Sequence, residues 1–89
     1  MTTYIVTFEI KDSNRKLKFK ERLKEFNGFC PIHGNAWAIR TDLKAKDIRD
    51  TLTQFITSED KIFVIRTGTE AAWRNSYGIK HSEWLKKYL

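Results

Sequence analysis

Large apolar and small or polar side chains alternate from Thr3 to Ile10, TYIVTFEI, placing Tyr4, Val6, Phe8 and Ile10 on one side and Thr3, Ile5, Thr7 and Glu9 on the other. A period of two is that of a strand. One face is bulky, as a surface packed under helices requires; the other ends in a carboxylate. The period then lengthens. Asp12-Ser13-Asn14 offers side-chain oxygens to the free amides of a helix start. Phe19, Leu23 and Phe26 recur at helical spacing until Asn27-Gly28, so the spacing predicts a helix from Ser13 to Phe26, with Leu17 off its stripe. Phe29 to His33 reads as a short second strand. Pro31 has no amide hydrogen to give to a ladder, which assigns that strand to an edge or to a bulge. Gly34-Asn35 turns the chain into a third strand, Asn35 to Thr41, with Trp37 and Ile39 on one face and Ala36, Ala38 and Arg40 on the other.

Leu43 to Ile56 carries Ala45, Ile48, Leu52, Phe55 and Ile56 in one apolar stripe, a second helix capped by Thr41 or Asp42. After a turn at Thr57-Ser58-Glu59-Asp60, Lys61 to Thr67 is a fourth strand. Its Ile62, Phe63, Val64 and Ile65 are apolar on both faces, which predicts cover from both sides. Glu70 to Trp73 reads as a turn or short strand, and Ser82 as the cap of a last short helix with Trp84 and Tyr88 one turn apart. Residues 1–68 are expected to form one domain, and 69–89 an extension packing on it or on a partner copy.

The order strand, helix, strand, strand, helix, strand predicts an α+β, ferredoxin-like fold. In it a four-stranded antiparallel sheet has its first and third strands in the centre and the two helices on one face. The opposite face then needs a cover. It holds Ile5, Thr7, Ala36 and Ala38, with Phe63 or Ile65 beside them. Bare patches of that kind mark interfaces. The expected cover is a second copy stacked on the sheet, with Trp73 joining the contact; the competing cover is the aromatic tail folded back.

Composition narrows the setting. Eighty-nine residues that are 40% hydrophobic and 13% aromatic suit one packed core. No apolar run reaches bilayer-spanning length, the opening MTTY has no signal-peptide pattern, and a single cysteine cannot form an internal disulfide. A cytoplasmic protein with no membrane partner is the expectation. The net charge of +6 and a pI near 9.6 attract polyanions. Cations gather on the first helix at Arg15, Lys16, Lys18, Lys20, Arg22 and Lys24. A second group, Arg74, Lys80, His81, Lys86 and Lys87, lies among Trp73, Tyr77, Trp84 and Tyr88, rings that can stack bases or cover a core. The candidate nucleic-acid contacts are the six cations of the first helix together with Arg40, Lys86 and Lys87; a solvated helix face is the plainer use of the first group.

Few residues offer catalytic chemistry. Glu9 is the candidate metal ligand, against an ion pair with Arg40 on the same face of the neighbouring strand. Asp12 could add a second carboxylate, although helix capping explains it more simply. Cys30-Pro31-Ile32-His33 has the gap of half a zinc site. A closed site needs about four ligands and His81 is the only other histidine, so a buried thiol beside a strand-end imidazole is expected instead. No phosphate-binding loop or dinucleotide fingerprint is present.

Several of these segments resemble the ferredoxin-like, CRISPR-associated small nuclease family whose dimer serves in spacer integration, together with its short relatives and the type D virulence-associated ribonuclease toxins. The likeness rests on a strand ending Phe8-Glu9-Ile10, on Asn35-Ala36-Trp37-Ala38-Ile39, on Ala45 to Leu52 followed by Asp60-Lys61-Ile62-Phe63-Val64-Ile65, and on Gly68 leading into Ala71-Ala72-Trp73. The resemblance implies a homodimer facing through its open sheet, with DNA or RNA as partner. It also implies that acidic residues of two subunits meet near a two-fold axis around Mg2+. Glu9 stands where the family has aspartate; it keeps oxygen ligands for a hard cation but carries them on a longer arm. Nucleic-acid binding without cleavage is therefore the first expectation. A magnesium-dependent nuclease using Glu9 from both subunits is the second, and a non-catalytic protein-interaction module of phage or mobile-element origin the third.

Overall fold

The computed structural model describes residues 1–89, with β1 Thr2–Glu9, α1 Ser13–Leu23, β2 Gly28–His33, β3 Ala36–Thr41, α2 Ala45–Thr53, β4 Lys61–Arg66 and α3 Ile79–Tyr88. The strands lie in the order β2-β3-β1-β4 and every neighbouring pair is antiparallel. This is the ferredoxin-like arrangement, extended by α3. β2 is an edge strand and slips register between Pro31 and His33, so the proline sits where its missing amide costs no regular ladder bond. No helix is long and apolar enough to cross a membrane.

The register Tyr4↔Ile39, Val6↔Trp37 and Val6↔Val64 brings the bulky faces of the strands together. Against them α1 packs Phe19, Leu23 and Phe26, and α2 packs Ile48 and Leu52, forming one cluster with Tyr4, Val6, Phe8, Trp37 and Ile39. Phe8 and Phe19 meet with ring centroids 4.7 Å apart. At about 1.5–3 kcal/mol for each fully buried large apolar side chain, this layer is the main source of stability. Asp12 caps α1 by accepting a hydrogen bond from the Arg15 amide at 2.9 Å.

Four local expectations are corrected. α1 stops at Leu23, and the Glu25 and Phe26 amides turn back onto the Arg22 and Leu23 carbonyls, so Phe26 reaches the core from a tightening last turn. α2 starts at Ala45 without a side-chain cap: the Thr41 hydroxyl accepts from the Leu43 amide at 3.2 Å, and Asp42 lies 3.7 Å from the terminal ammonium. α3 begins at Ile79, behind Gly78 with φ of 154°, and Ser82 is inside it with its hydroxyl 2.7 Å from that of Ser76. Finally, β4 is covered on one face only. Ile62 and Val64 pack on the core while Phe63 and Ile65 are 61% and 52% exposed.

Candidate functional site

The second face of the sheet is divided between two environments. Over β2 and β3 lies α3, whose Leu85 is 2% exposed and packs with Cys30 and Ala38, flanked by Ile5, Ile32, Trp84 and Leu89. The helix comes close because Gly28 has no side chain: a Cβ there would stand 3.3 Å from Arg40 Cβ and 3.5 Å from Trp84 Cζ2. Ala36 and Ala38, assigned from the sequence to a dimer contact, are buried within one chain, Ala38 against Leu85. The tail therefore covers that half of the sheet itself. Over β1 and β4 the face stays bare: Thr7 and Phe63, paired across the strands, are exposed beside Ile65, with Ile5 half-buried between the halves. Trp73, the remaining expected contact, lies in the irregular segment before α3.

Glu9 stands at the end of the bare half. Register places Arg40 opposite Thr3, at the other end of β1, so the ion pair weighed from the sequence does not form. Glu9 Oε1 lies instead 3.2 Å from Lys11 Nζ and 3.7 Å from Lys61 Nζ. The hydrogen bond and charge of Lys11, then the charge of Lys61, hold its carboxyl below the usual range. Glu9, His33, Asn35, Lys61 and Phe63 line one open depression of about 810 Å³. No group of three or more His, Cys, Asp or Glu side chains that could hold a metal comes together in the chain. A single carboxylate between two ammonium groups does not fit a divalent cation, which needs several oxygen donors.

Beneath this depression lies a group that periodicity does not reveal. The Asp60 side chain is fully buried and accepts from the Lys11 and Thr57 amides, both at 3.0 Å, and from Arg15 Nε and Nη2, both at 3.1 Å. The Arg15 guanidinium and the backbone donors hold its carboxyl well below the ordinary aspartate value. Asp60 thus ties the start of α1 to the turn before β4. Its only sequence signal is an acid closing the Thr57-Ser58-Glu59 turn.

The basic residues separate by partner. Arg15 is committed to Asp60, Arg22 Nη1 lies 3.9 Å from Glu25, and Lys24 lies 3.6 Å from Glu21. Lys16, Lys18 and Lys20 on α1, and Lys80, Lys86 and Lys87 on α3, take part in no ion pair. Arg40 lies under α3 with its guanidinium 3.9 Å from the centre of the Tyr88 ring and its Nε buried without a hydrogen-bond partner. Its charge is engaged with that ring, which makes it a packing residue in this conformation. Cys30 and His33 are not a metal pair. The thiol is buried under α3 and donates toward the His81 carbonyl at 3.8 Å, while His33 Nδ1 accepts from the Asn35 amide at 3.2 Å in the turn. Burial pushes the Cys30 thiol pKa up, which makes it a poor nucleophile.

No protein-family model matches the chain and no curated protein does. In shape it is similar to a solved structure, the hypothetical protein TT1823 from Thermus thermophilus, with a TM-score of 0.70 over 83% of this chain and 90% of that one, at 16% sequence identity. At that identity the likeness supports the ferredoxin-like fold and nothing finer.

Proposed function

We propose that this protein binds nucleic acid as a homodimer and does not cleave what it binds, in keeping with its resemblance to the CRISPR-associated small nuclease family. The observation that carries the reading is the set of six lysines on α1 and α3, Lys16, Lys18, Lys20, Lys80, Lys86 and Lys87, left without carboxylate partners in a chain of net charge +6. Such cations neutralise phosphates and release counterions. The bare half-sheet around Thr7, Phe63 and Ile65 is the surface through which two copies meet about a two-fold axis. The pairing of Glu9 with Lys11 and Lys61 supports binding over catalysis.

The test is a salt titration with labelled DNA and RNA. About six phosphate contacts cost roughly 10³-fold in affinity between about 50 and 200 mM salt. Light scattering should give the mass of two chains, and Phe63→Glu should give one. Because Phe63 is 61% exposed in the single chain, that variant should keep its folding stability within about 0.5 kcal/mol. Absence of salt-sensitive affinity would leave a protein-interaction module. Magnesium-dependent cleavage lost in Glu9→Gln would make the protein a nuclease.

A further inference from the structure

We infer that the groove between the outer edge of β2 and α3 stacks unpaired bases, so that the nucleic acid taken by this protein is single-stranded; the inference rests on the nucleic-acid reading above. The groove is a shallow depression of about 240 Å³, open to solvent and lined by Phe29, Cys30, Pro31, Lys80, His81 and Trp84. That is below the volume of pockets that enclose a drug-sized molecule, and suits a planar ring better than a folded ligand.

Its aromatic residues are held by neighbours. Trp84 leans on Tyr88 at 4.9 Å on the α3 face, while Phe29, 40% exposed, borders the groove at the edge of β2 and stacks on Trp37, on the opposite face of the sheet, with centroids 5.8 Å apart. Tyr77, 60% exposed, lies outside the lining but meets the ring of the groove residue His81 edge-on at 5.7 Å. Rings fixed in this way lose little freedom when a base stacks on them. The charge is complementary. Lys80 lines the groove, Lys86 and Lys87 follow on the same helix, and Glu83 is the helix's one acid. Aromatic faces amid unpaired cations are what single-strand binders present, because any base offers a π-face once it leaves the stack. A duplex keeps those faces inside. An added β-strand is a poorer occupant, since Pro31 and the register slip beside it interrupt the outer ladder of β2.

The experiment compares labelled oligothymidylate with its duplex on oligoadenylate, using the intact protein and the variants Tyr77→Ser, Phe29→Ser and Lys80→Gln. The single strand should bind more tightly than the duplex. Each lost stacking partner should weaken single-strand binding by about 5- to 150-fold and leave duplex binding unchanged. Tyr77 lies outside every helix and strand, so its variant keeps the fold even if Phe29→Ser, by losing the stack on Trp37, does not. Neutralising Lys16, Lys18 and Lys20 together on α1 should weaken both forms. Equal affinity for the two forms, or a folded Tyr77→Ser that binds oligothymidylate as the parent does, overturns the groove while nucleic-acid binding stands. No salt-sensitive binding to either form overturns both.

Discussion

Replacing Leu85 with alanine should release α3 from the sheet while the main core stays folded. Leu85 is 2% exposed and is the one residue of α3 buried on the sheet, where it packs with Cys30 and Ala38. Truncating a buried leucine costs about 2–5 kcal/mol. The half-buried Ile5, Ile32 and Trp84 can close part of the cavity, which favours the low end, about 2–3 kcal/mol. If α3 opens as a unit, its open population rises roughly 30- to 150-fold, since about 1.4 kcal/mol is a factor of ten. Cys30 reports this directly: it is the only cysteine, is 3% exposed, and lies beneath the helix. Labelling of the thiol by an aromatic disulfide reagent, under native conditions where opening is faster than reaction, should accelerate by that factor. Ile48→Ala supplies the comparison, because Ile48 is fully buried on the other side of the sheet. It should lower the global unfolding midpoint yet barely change the labelling rate. Equal acceleration by both substitutions would mean that α3 opens only with the whole molecule, and would refute the idea of a separately docked helix.

Ala38→Glu should destabilise the single chain by about 3 kcal/mol or more, since Leu85 of the same chain leaves a carboxylate neither water nor a partner; a parental denaturation midpoint would contradict this. Asp60→Asn should lower stability at about pH 7, where the aspartate is ionised and paired with Arg15. Because the folded state depresses the Asp60 pKa, the pair's contribution is complete above the unfolded value of about 3.9 and is lost as pH falls through the folded one. The gap between parent and variant, followed by urea midpoints, should narrow below about pH 4 and stay constant above about pH 5. Asp12→Ala should cost about 1 kcal/mol through loss of the α1 cap, with Asp12→Ser restoring most of it in thermal melts.

The elements legible in the sequence are those whose side chains state a period. Tyr4, Val6 and Phe8, and then Phe19 and Leu23, announce a strand and a helix before any partner is known, and Pro31 announces an edge or a bulge in β2, where the structure has both. What stays hidden depends on who stands opposite. Phe63 and Ile65 are apolar enough to suggest cover, but composition does not say whether their own chain supplies it. Glu9 and Arg40 share a face, yet the hairpin register puts Arg40 opposite Thr3. Ser82 looks like a cap until Ser76 is found beside it, and Asp60 finds Arg15 across 45 positions of chain. Apart from Ser82 and Ser76, six residues apart, these misses turn on partners distant in the sequence, which local periodicity does not report.

The centre of the sheet belongs to its first strand. β1 bonds to β3 on one side and β4 on the other, so Thr7 lies between Ala36 and Phe63. During synthesis β1 can take β3 on one edge once Thr41 has emerged, but its other edge stays open until β4 at Lys61–Arg66 has been made. Closing so long a loop costs entropy before the pairing with β4 repays it, so folding should be slow for a chain of this size and late on the ribosome. Nascent chains released before β4 would carry β1 with one edge bare, which makes that edge the place where a chaperone is most needed.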